Sequence, residues 1–403
     1  MRVKQAVFMV GGKGTRLGSL TQNTPKPLLE ISPGIRFLDV PIEEAARRGF
    51  TDILLLAGHM GEQVEAAYQG KEVHGAKITV LREPEPQGTG GAIRFARSHL
   101  QPFFLLGNGD SLFDINLRAL TEPLPDGALV RMALRKVPDP ARYGAVDLEG
   151  RQVTAFREKS PSLLGPALIN GGLYLMDRTI VDMIDSPCSI ETDVFPRLVA
   201  EGRVQGQEFV GYFIDMGLPN TYEQAQREVP SRRIRPCIFL DRDGVLNIDK
   251  GYTHRPEDLE WIEGARDTIR AFNETDHYVI VVTNQAGVAR GHYTLDAIDT
   301  FHDAMREALA REGAYIDAFY ACPYHAEGTV EAFTVADHPD RKPNPGMILR
   351  AAREWPIDMS RSFMVGDKES DMAAGKAAGL PVCQYKGGNL LSVIKRFRDR
   401  ADG

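Results

Sequence analysis

The chain has 403 residues, 43% of them hydrophobic and 26% charged, an ordinary globular composition at a length that suits two or three domains. With 48 basic and 55 acidic side chains the net charge is −7, which excludes a general nucleic-acid or membrane surface and makes any recognition of anions local. Cys188, Cys237, Cys322 and Cys383 show no paired spacing, no apolar run approaches a membrane span, and Gly11-Gly12 interrupts the first apolar stretch too soon for a secretory signal, so a reducing cytoplasm is expected.

From the amino terminus, Ala6 to Val10 is a short apolar run fit for a buried strand. Gly11, Gly12 and Gly14 follow, with Thr15, Arg16 and then Thr24-Pro25-Lys26-Pro27-Leu28. Glycines let main-chain N–H groups approach a phosphate closely, and Arg16 and Lys26 add positive charge. The Gly-Lys-Ser/Thr of a P-loop is missing. With its Pro-Lys-Pro continuation, the segment resembles the nucleoside-triphosphate-dependent sugar-1-phosphate nucleotidyltransferases, a likeness that runs to about residue 228.

That resemblance implies roles further along. Glu85 to Ala92, including Gln87 and Gly88, would recognise the base through a side-chain amide and bare backbone. The strand Phe103 to Leu106 leads to Asn108-Gly109-Asp110, with Asp110 the first metal carboxylate. Phe156-Arg157-Glu158-Lys159 would grip the sugar and its phosphate, Asn170-Gly171-Gly172 would face the sugar, and Asp215 in Ile214 to Gly217 would be the second metal carboxylate. The attacking oxygen of a sugar 1-phosphate is already nucleophilic at neutral pH, so the obstacle is pushing one anion against another. Arg16, Lys26 and Mg²⁺ on Asp110 and Asp215 would offset the triphosphate charge, and Lys159 would fix the attacking phosphate.

Glu228 to Pro236 is polar, basic and flanked by proline, the composition of an exposed connection. The expected division is a nucleotidyltransferase domain over 1–228, a linker over 229–236 and a second domain over 237–403. Apolar runs alternate with helix-like stretches at Gly91 to Leu100, Ile190 to Ala200, Leu295 to Arg311 and Met347 to Trp355. This predicts α/β architecture: two Rossmann-like α/β/α domains, with mainly parallel sheets and crossover helices, the first GT-A-like by resemblance.

In the second half, Cys237 to Leu240 delivers Asp241 and Asp243 into a turn opened by Gly244. Thr283-Asn284 follows the run Val279 to Val282, Lys342 lies between Arg341 and Pro343, and Gly366-Asp367-Lys368 follows Phe363 to Val365. Such residues belong at the carboxyl edge of a parallel sheet. A phosphate monoester is cleaved in two easier steps if a carboxylate attacks phosphorus first, which suits Asp241. Asp243 can protonate the leaving alkoxide and then draw a proton from water. Asp367 would hold Mg²⁺ with Asp241 and the backbone of Asp243, while Thr283 and Lys342 neutralise the phosphoryl group.

The constellation resembles the haloacid-dehalogenase-like phosphatases over about residues 235 to 395. Asp241 to Asn247, Gly251-Tyr252, Thr283 to Gly291 and Arg341-Lys342-Pro343 are similar to the branch that acts on D-glycero-D-manno-heptose 1,7-bisphosphate and histidinol phosphate. The resemblance places Asn284, Arg290 and Arg341 near substrate, and Lys368 beside the metal aspartate. Many members hold zinc through Cys-Pro-His-His and Cys-x-Cys segments, but here these read Cys322-Pro323-Tyr324-His325 and His338-Pro339-Asp340. Zinc is not expected, and the loop needs another anchor.

A phosphatase that strips the distal phosphate from a sugar bisphosphate makes what a nucleotidyltransferase consumes. The expectation is a bifunctional enzyme taking heptose 1,7-bisphosphate to heptose 1-phosphate and then to a nucleotide-heptose. The likeness to guanylyltransferases implies GTP, the α anomer and GDP-heptose. Histidinol phosphate or a hexose 1-phosphate as substrate, and a non-catalytic sugar-nucleotide sensor in the first half, are the alternatives. Oligomeric state is not written in the sequence.

Overall fold

In Gln5–Met9, Ala6 and Phe8 enter one apolar cluster and Val7 the other, because successive side chains of a strand point to opposite faces. Asp52–Ala57 does the same with Ile53 and Leu55 against Leu54 and Leu56. Burial on both faces is why these strands read as unbroken apolar runs. The computed structural model describes residues 2–140, 144–157, 165–185 and 187–401. It divides into two units, Met1–Ser231 and Arg232–Gly403.

Unit 1 holds a 10-stranded sheet. Gln5–Met9 pairs in parallel with Asp52–Ala57 on one side and Phe103–Asn108 on the other, and Ala76–Arg82 continues the parallel half. Beyond Phe103–Asn108 the direction reverses: Ala167–Asp177 is antiparallel to it and to Val130–Val137. The expected mainly parallel sheet is therefore corrected to a mixed one in this unit. Ala145–Glu149 and Gln152–Arg157 are separated by Gly150 and Arg151 alone, which permits only an antiparallel hairpin. Helices Asp39–Arg47, Gly61–Tyr68 and Gly88–Phe95 put Ile42, Ala45, Val64 and Ile93 into the two clusters.

The division between the units, after Ser231, falls within the expected 229–236 segment, whose start is helical. Helix Pro219–Arg232 runs through its first residues, because Thr221, Ala225 and Val229 recur every four residues and are buried. Arg235 is buried as well, its backbone N–H donating to the Pro356 carbonyl at 3.1 Å and its guanidinium 3.0 Å from Asp276.

Unit 2 has a five-stranded sheet in the order Ala318–Cys322, Tyr278–Asn284, Cys237–Leu240, Phe363–Gly366, Val382–Gln384, with every pair parallel. Ile238 and Leu240 face a cluster built with Ile269 and Phe272 of helix Ala265–Glu274 and Phe301 and Met305 of helix Leu295–Ala310. Cys237 and Phe239 face the other, with Met347 and Ala351 of helix Gly346–Glu354. Each such side chain taken from water contributes about 1.5–3 kcal/mol. All five strands point their carboxyl ends to one edge, where Asp241 and Asp367 follow their strands and Thr283 is the next-to-last residue of its own.

Candidate active sites

Asp241 is the first residue past Cys237–Leu240, and its N–H donates to the Val365 carbonyl at 2.9 Å, so the sheet itself aims it. The Lys342 Nζ stands 2.7 Å from Asp241 Oδ1, 2.7 Å from Asp371 Oδ1 and 2.9 Å from the Val282 carbonyl. An ammonium has three donors, and all three are used. Burial pushes the Asp241 carboxyl up to about 7, against the pull of Lys342. For Lys342 burial opposes the charge, but Asp241 and Asp371 outweigh it and hold the ammonium above its usual value.

Asp241, Asp367 and Asp371 have oxygens within 4.8 Å of one another, a cluster that can hold a metal ion. Asp367 Oδ1 is buried and has no hydrogen-bond partner among the described residues, as a ligand atom awaiting a cation would be. Gly244 lies against it: at φ 91° it occupies the region that favours glycine, and a Cβ there would stand 2.5 Å from Asp367 Oδ2. Asp371 was missed by the sequence reading. It sits four residues after Asp367, in the first turn of helix Glu369–Ala377, and accepts from the Lys368 N–H at 2.9 Å.

Asp243 keeps its carboxylate outside that cluster. The carboxylate accepts from Arg242 at 2.8 Å, Asn247 Nδ2 at 2.9 Å and Gln285 Nε2 at 2.9 Å, and it lines a cavity of about 250 Å³ with Asp241, Thr283 and Lys342. Gln285 Nε2 also donates to Thr283 Oγ1 at 2.9 Å, which leaves the threonine proton to be given elsewhere. Asn284 is tied to the Lys342 backbone by two bonds, at 3.0 and 3.1 Å. Lys368 reaches Asp249 at 3.5 Å on the cavity wall. Arg290 and Arg341 are not among the residues lining this cavity: Arg290 donates to Tyr252 Oη at 2.7 Å and Arg341 to the Tyr324 carbonyl at 2.9 Å.

The segment that departs from the zinc pattern has its own anchor. Tyr324 stacks on His338 with centroids 3.9 Å apart. His338 Nδ1 accepts from the Asp340 N–H at 3.1 Å, and His325 Nδ1 from the Glu327 N–H at 2.9 Å.

In unit 1 the short strands Ser111–Asp114 and Tyr212–Asp215 pair antiparallel with Asp215 opposite Ser111, which brings Asp215 next to Asp110. The Met216 N–H donates to the Asp110 carbonyl at 3.1 Å. Between the two carboxylates lies Lys26, only 5% exposed, its Nζ 2.7 Å from Asp110 Oδ2 and 3.6 Å from Asp215 Oδ1. A Cβ on Gly217 would stand 3.1 Å from Asp215 Oδ1 and 3.2 Å from Arg16 Nη2, so Arg16 converges on the same spot. Gly11, Gly12 and Gly14 form the loop after Gln5–Met9, and Thr15 opens the one-turn helix that carries Arg16.

Asn108 ends Phe103–Asn108, and a Cβ on Gly172 would stand 2.8 Å from its Nδ2. Asn170 is turned inward, donating to Tyr174 Oη at 2.7 Å and accepting from the Gly172 N–H at 3.0 Å, and Gly171 packs on Phe113. Gln87 caps helix Gly88–Phe95, and its carbonyl accepts from the Cys188 N–H at 3.0 Å. Gly88, at φ 76°, has no room for a side chain against the Cys188 carbonyl. Glu158 and Lys159 lie outside the described residues.

Comparison with known proteins separates the two units. Residues 5–232 match the nucleotidyl transferase family, and residues 340–393 match the HAD-hydrolase-like family. D-glycero-beta-D-manno-heptose-1,7-bisphosphate 7-phosphatase from Rhodopseudomonas palustris is 45% identical over 163 residues, 40% of this chain and 89% of that protein. The protein of the same name from Escherichia coli K12 is 44% identical over 146 residues, 36% of this chain and 75% of that one. The crystal structure of HddC from Yersinia pseudotuberculosis complexed with GMP-PN is 28% identical, with a TM-score of 0.50, over 57% of this chain and 100% of that one. Among the described residues no helix is long and apolar enough to cross a membrane.

Proposed function

Because the chain belongs to the nucleotidyl transferase family through residues 5–232 and to the haloacid-dehalogenase-like phosphatases through its second unit, we propose that this bifunctional enzyme runs two consecutive steps of heptose activation. Unit 2 would remove the 7-phosphate of a heptose 1,7-bisphosphate. Unit 1 would transfer GMP from GTP to the resulting 1-phosphate, releasing pyrophosphate. The observation that carries this is the occurrence on one chain of an aspartate cluster suited to phosphate release and an Arg16-Lys26-Asp110-Asp215 edge suited to a triphosphate. The relatives' names support the heptose, and the nucleotide in the HddC complex supports guanine.

In unit 2 the Asp241 carboxylate, paired with Lys342, bonds to phosphorus as the bond from phosphorus to the C7 oxygen breaks. Asp243 gives its proton to the leaving alkoxide. Water then attacks the aspartyl phosphate, Asp243 takes the water's proton, and Asp241 returns as carboxylate. The free proton of Thr283 points the phosphoryl oxygens. In unit 1 an oxygen of the sugar 1-phosphate attacks the α-phosphorus, and the bond to the bridging oxygen of pyrophosphate breaks. Arg16 and Lys26 offset the charge that crowds there. Mg²⁺, for which the Asp241 and Asp367 oxygens fit in unit 2 and Asp110 and Asp215 are the candidates in unit 1, supplies further charge neutralisation when bound.

The test is to incubate the purified chain with Mg²⁺, each anomer of heptose 1,7-bisphosphate and each nucleoside triphosphate in turn. The relatives' names specify the β anomer, whereas the guanylyltransferase likeness implied α, so both are offered. Phosphate release followed by GDP-heptose with GTP is expected. Phosphate release with no nucleotide-sugar from any triphosphate would remove the second step.

A further inference from the structure

Asp241 and Asp243 line the cavity at the edge of the unit 2 sheet, but Arg242 between them does not. It turns the other way, to the face that Leu240 shares with Phe301 of helix Leu295–Ala310, and its guanidinium lies 4.5 Å from the centre of the Phe301 ring. Arg242 is wholly buried, and a guanidinium taken out of water needs partners for its charge and its N–H groups. Each of its nitrogens has one. Nε donates to Asp243, Nη2 to Asp243 and the Thr253 carbonyl, and Nη1 to His302 Nε2 at 3.4 Å.

Among the described residues its one ion pair is with Asp243. Nε stands 3.1 Å from Asp243 Oδ1, and Nη2 stands 3.0 Å from Oδ1 and 2.8 Å from Oδ2. Both oxygens are therefore held from one rigid plane. Asn247 reaches Oδ1 alone and Gln285 reaches Oδ2 alone, each at 2.9 Å, so neither by itself stops the carboxyl group from turning about its bond to Cβ. The guanidinium fork does, because its nitrogens are fixed relative to one another. The fork is braced in turn: His302 stacks on Phe319 with centroids 4.1 Å apart, and Phe301 closes the guanidinium face.

We propose that Arg242 is a positioning residue for proton transfer by Asp243, fixing the plane of that carboxyl group and so its aim at the leaving oxygen; this rests on the reading of Asp243 as the proton donor. As the bond from phosphorus to the sugar oxygen breaks, its electron pair passes to that oxygen, which takes the Asp243 proton and leaves a carboxylate facing Arg242. Transfer requires the donor to be in line and within hydrogen-bond reach, which a small turn of the carboxyl group would spoil. Lysine at position 242 would keep the charge and lose the fork. A residue that only filled the space between strand and helix would, when changed, weaken the cleavage of every phosphate ester alike.

The experiment gives the full chain, with Mg²⁺, two substrates: heptose 1,7-bisphosphate, whose alkoxide needs a proton to leave, and 4-nitrophenyl phosphate, whose phenolate does not. kcat/KM covers only the steps through departure of that group, and the ratio of the two values does not depend on how much of a variant is folded. Arg242→Lys should lower the heptose value about 10- to 100-fold, part of what proton transfer contributes, and the aryl value by no more than about 3-fold. Asp243→Asn should show the same contrast, and adding Arg242→Lys to it should leave the ratio unchanged. Equal losses on both substrates with Arg242→Lys, no loss on either, or a ratio that shifts further in the double variant would overturn the assignment. No contrast in Asp243→Asn would remove the proton-donor reading and the role of Arg242 with it, whereas contrast in Asp243→Asn but not in Arg242→Lys would remove the role of Arg242 and leave that reading standing.

Discussion

Replacing Lys342 by Met removes the ammonium that stands 2.7 Å from both Asp241 and Asp371 while keeping most of the side chain's volume. Both carboxylates are buried, so the change leaves negative charge without its partner, a loss of about 3–5 kcal/mol. Both tryptophans, Trp261 and Trp355, belong to unit 2, so urea unfolding followed by fluorescence reads that unit alone. With a urea slope of about 2 kcal/mol per molar, the midpoint should fall by about 1.5–2.5 M at pH 7.5. Burial has already raised Asp241 to about 7, above the 3.8 of a free aspartate. As pH falls to 5.5 the native state takes up a proton there before the unfolded state does, so the gap between variant and wild type narrows. An unchanged midpoint, or a gap that widens in acid, would refute the reasoning.

Gly244→Ala should cut phosphate release at least 10-fold, because its Cβ at 2.5 Å would displace Asp367 Oδ2, while pyrophosphate release by unit 1 stays within about twofold. Initial rates with each substrate supplied separately check this. His302 is 2% exposed, accepts from Arg242 Nη1 at 3.4 Å, and is held by burial and then by that guanidinium well below the usual histidine pKa. The unfolded chain therefore binds a proton below pH 6.5 that the native state refuses: unit 2 is fully stable above that pH and loses about 2 kcal/mol by pH 5 from this residue. His302→Gln should flatten that part of the pH–stability curve, with the smaller contribution of the same sign from His277 left in place. A curve unchanged by the substitution would remove the assignment.

Strand and site were legible wherever an apolar run ends in a polar residue, since such a run buried on both faces leaves its next side chain at the sheet edge. Asp241, Thr283 and Asp367 follow that pattern. Asp371 did not, because an acid in the first turn of a helix reads as a partner for the helix dipole, and its bond to Lys342 exists only in three dimensions. Lys26 likewise announced a cation near phosphate, but not that Asp110 and Asp215 close on it from distant segments. The reversal at Ala167–Asp177 was hidden because apolar spacing carries no strand direction. The helix through Arg232 was hidden because its polar residues dominate composition while a stripe of three small buried ones holds it.

The central claim is that one chain carries two independent active sites acting in sequence, and complementation tests it most directly. Asp241→Asn and Asp110→Asn are each supplied with heptose 1,7-bisphosphate, GTP and Mg²⁺, alone and mixed in equal amounts. Neither variant alone should form nucleotide-heptose, Asp110→Asn should still release phosphate, and the mixture should restore product. A mixture that stays inactive, although each variant keeps its remaining partial reaction, would contradict the account.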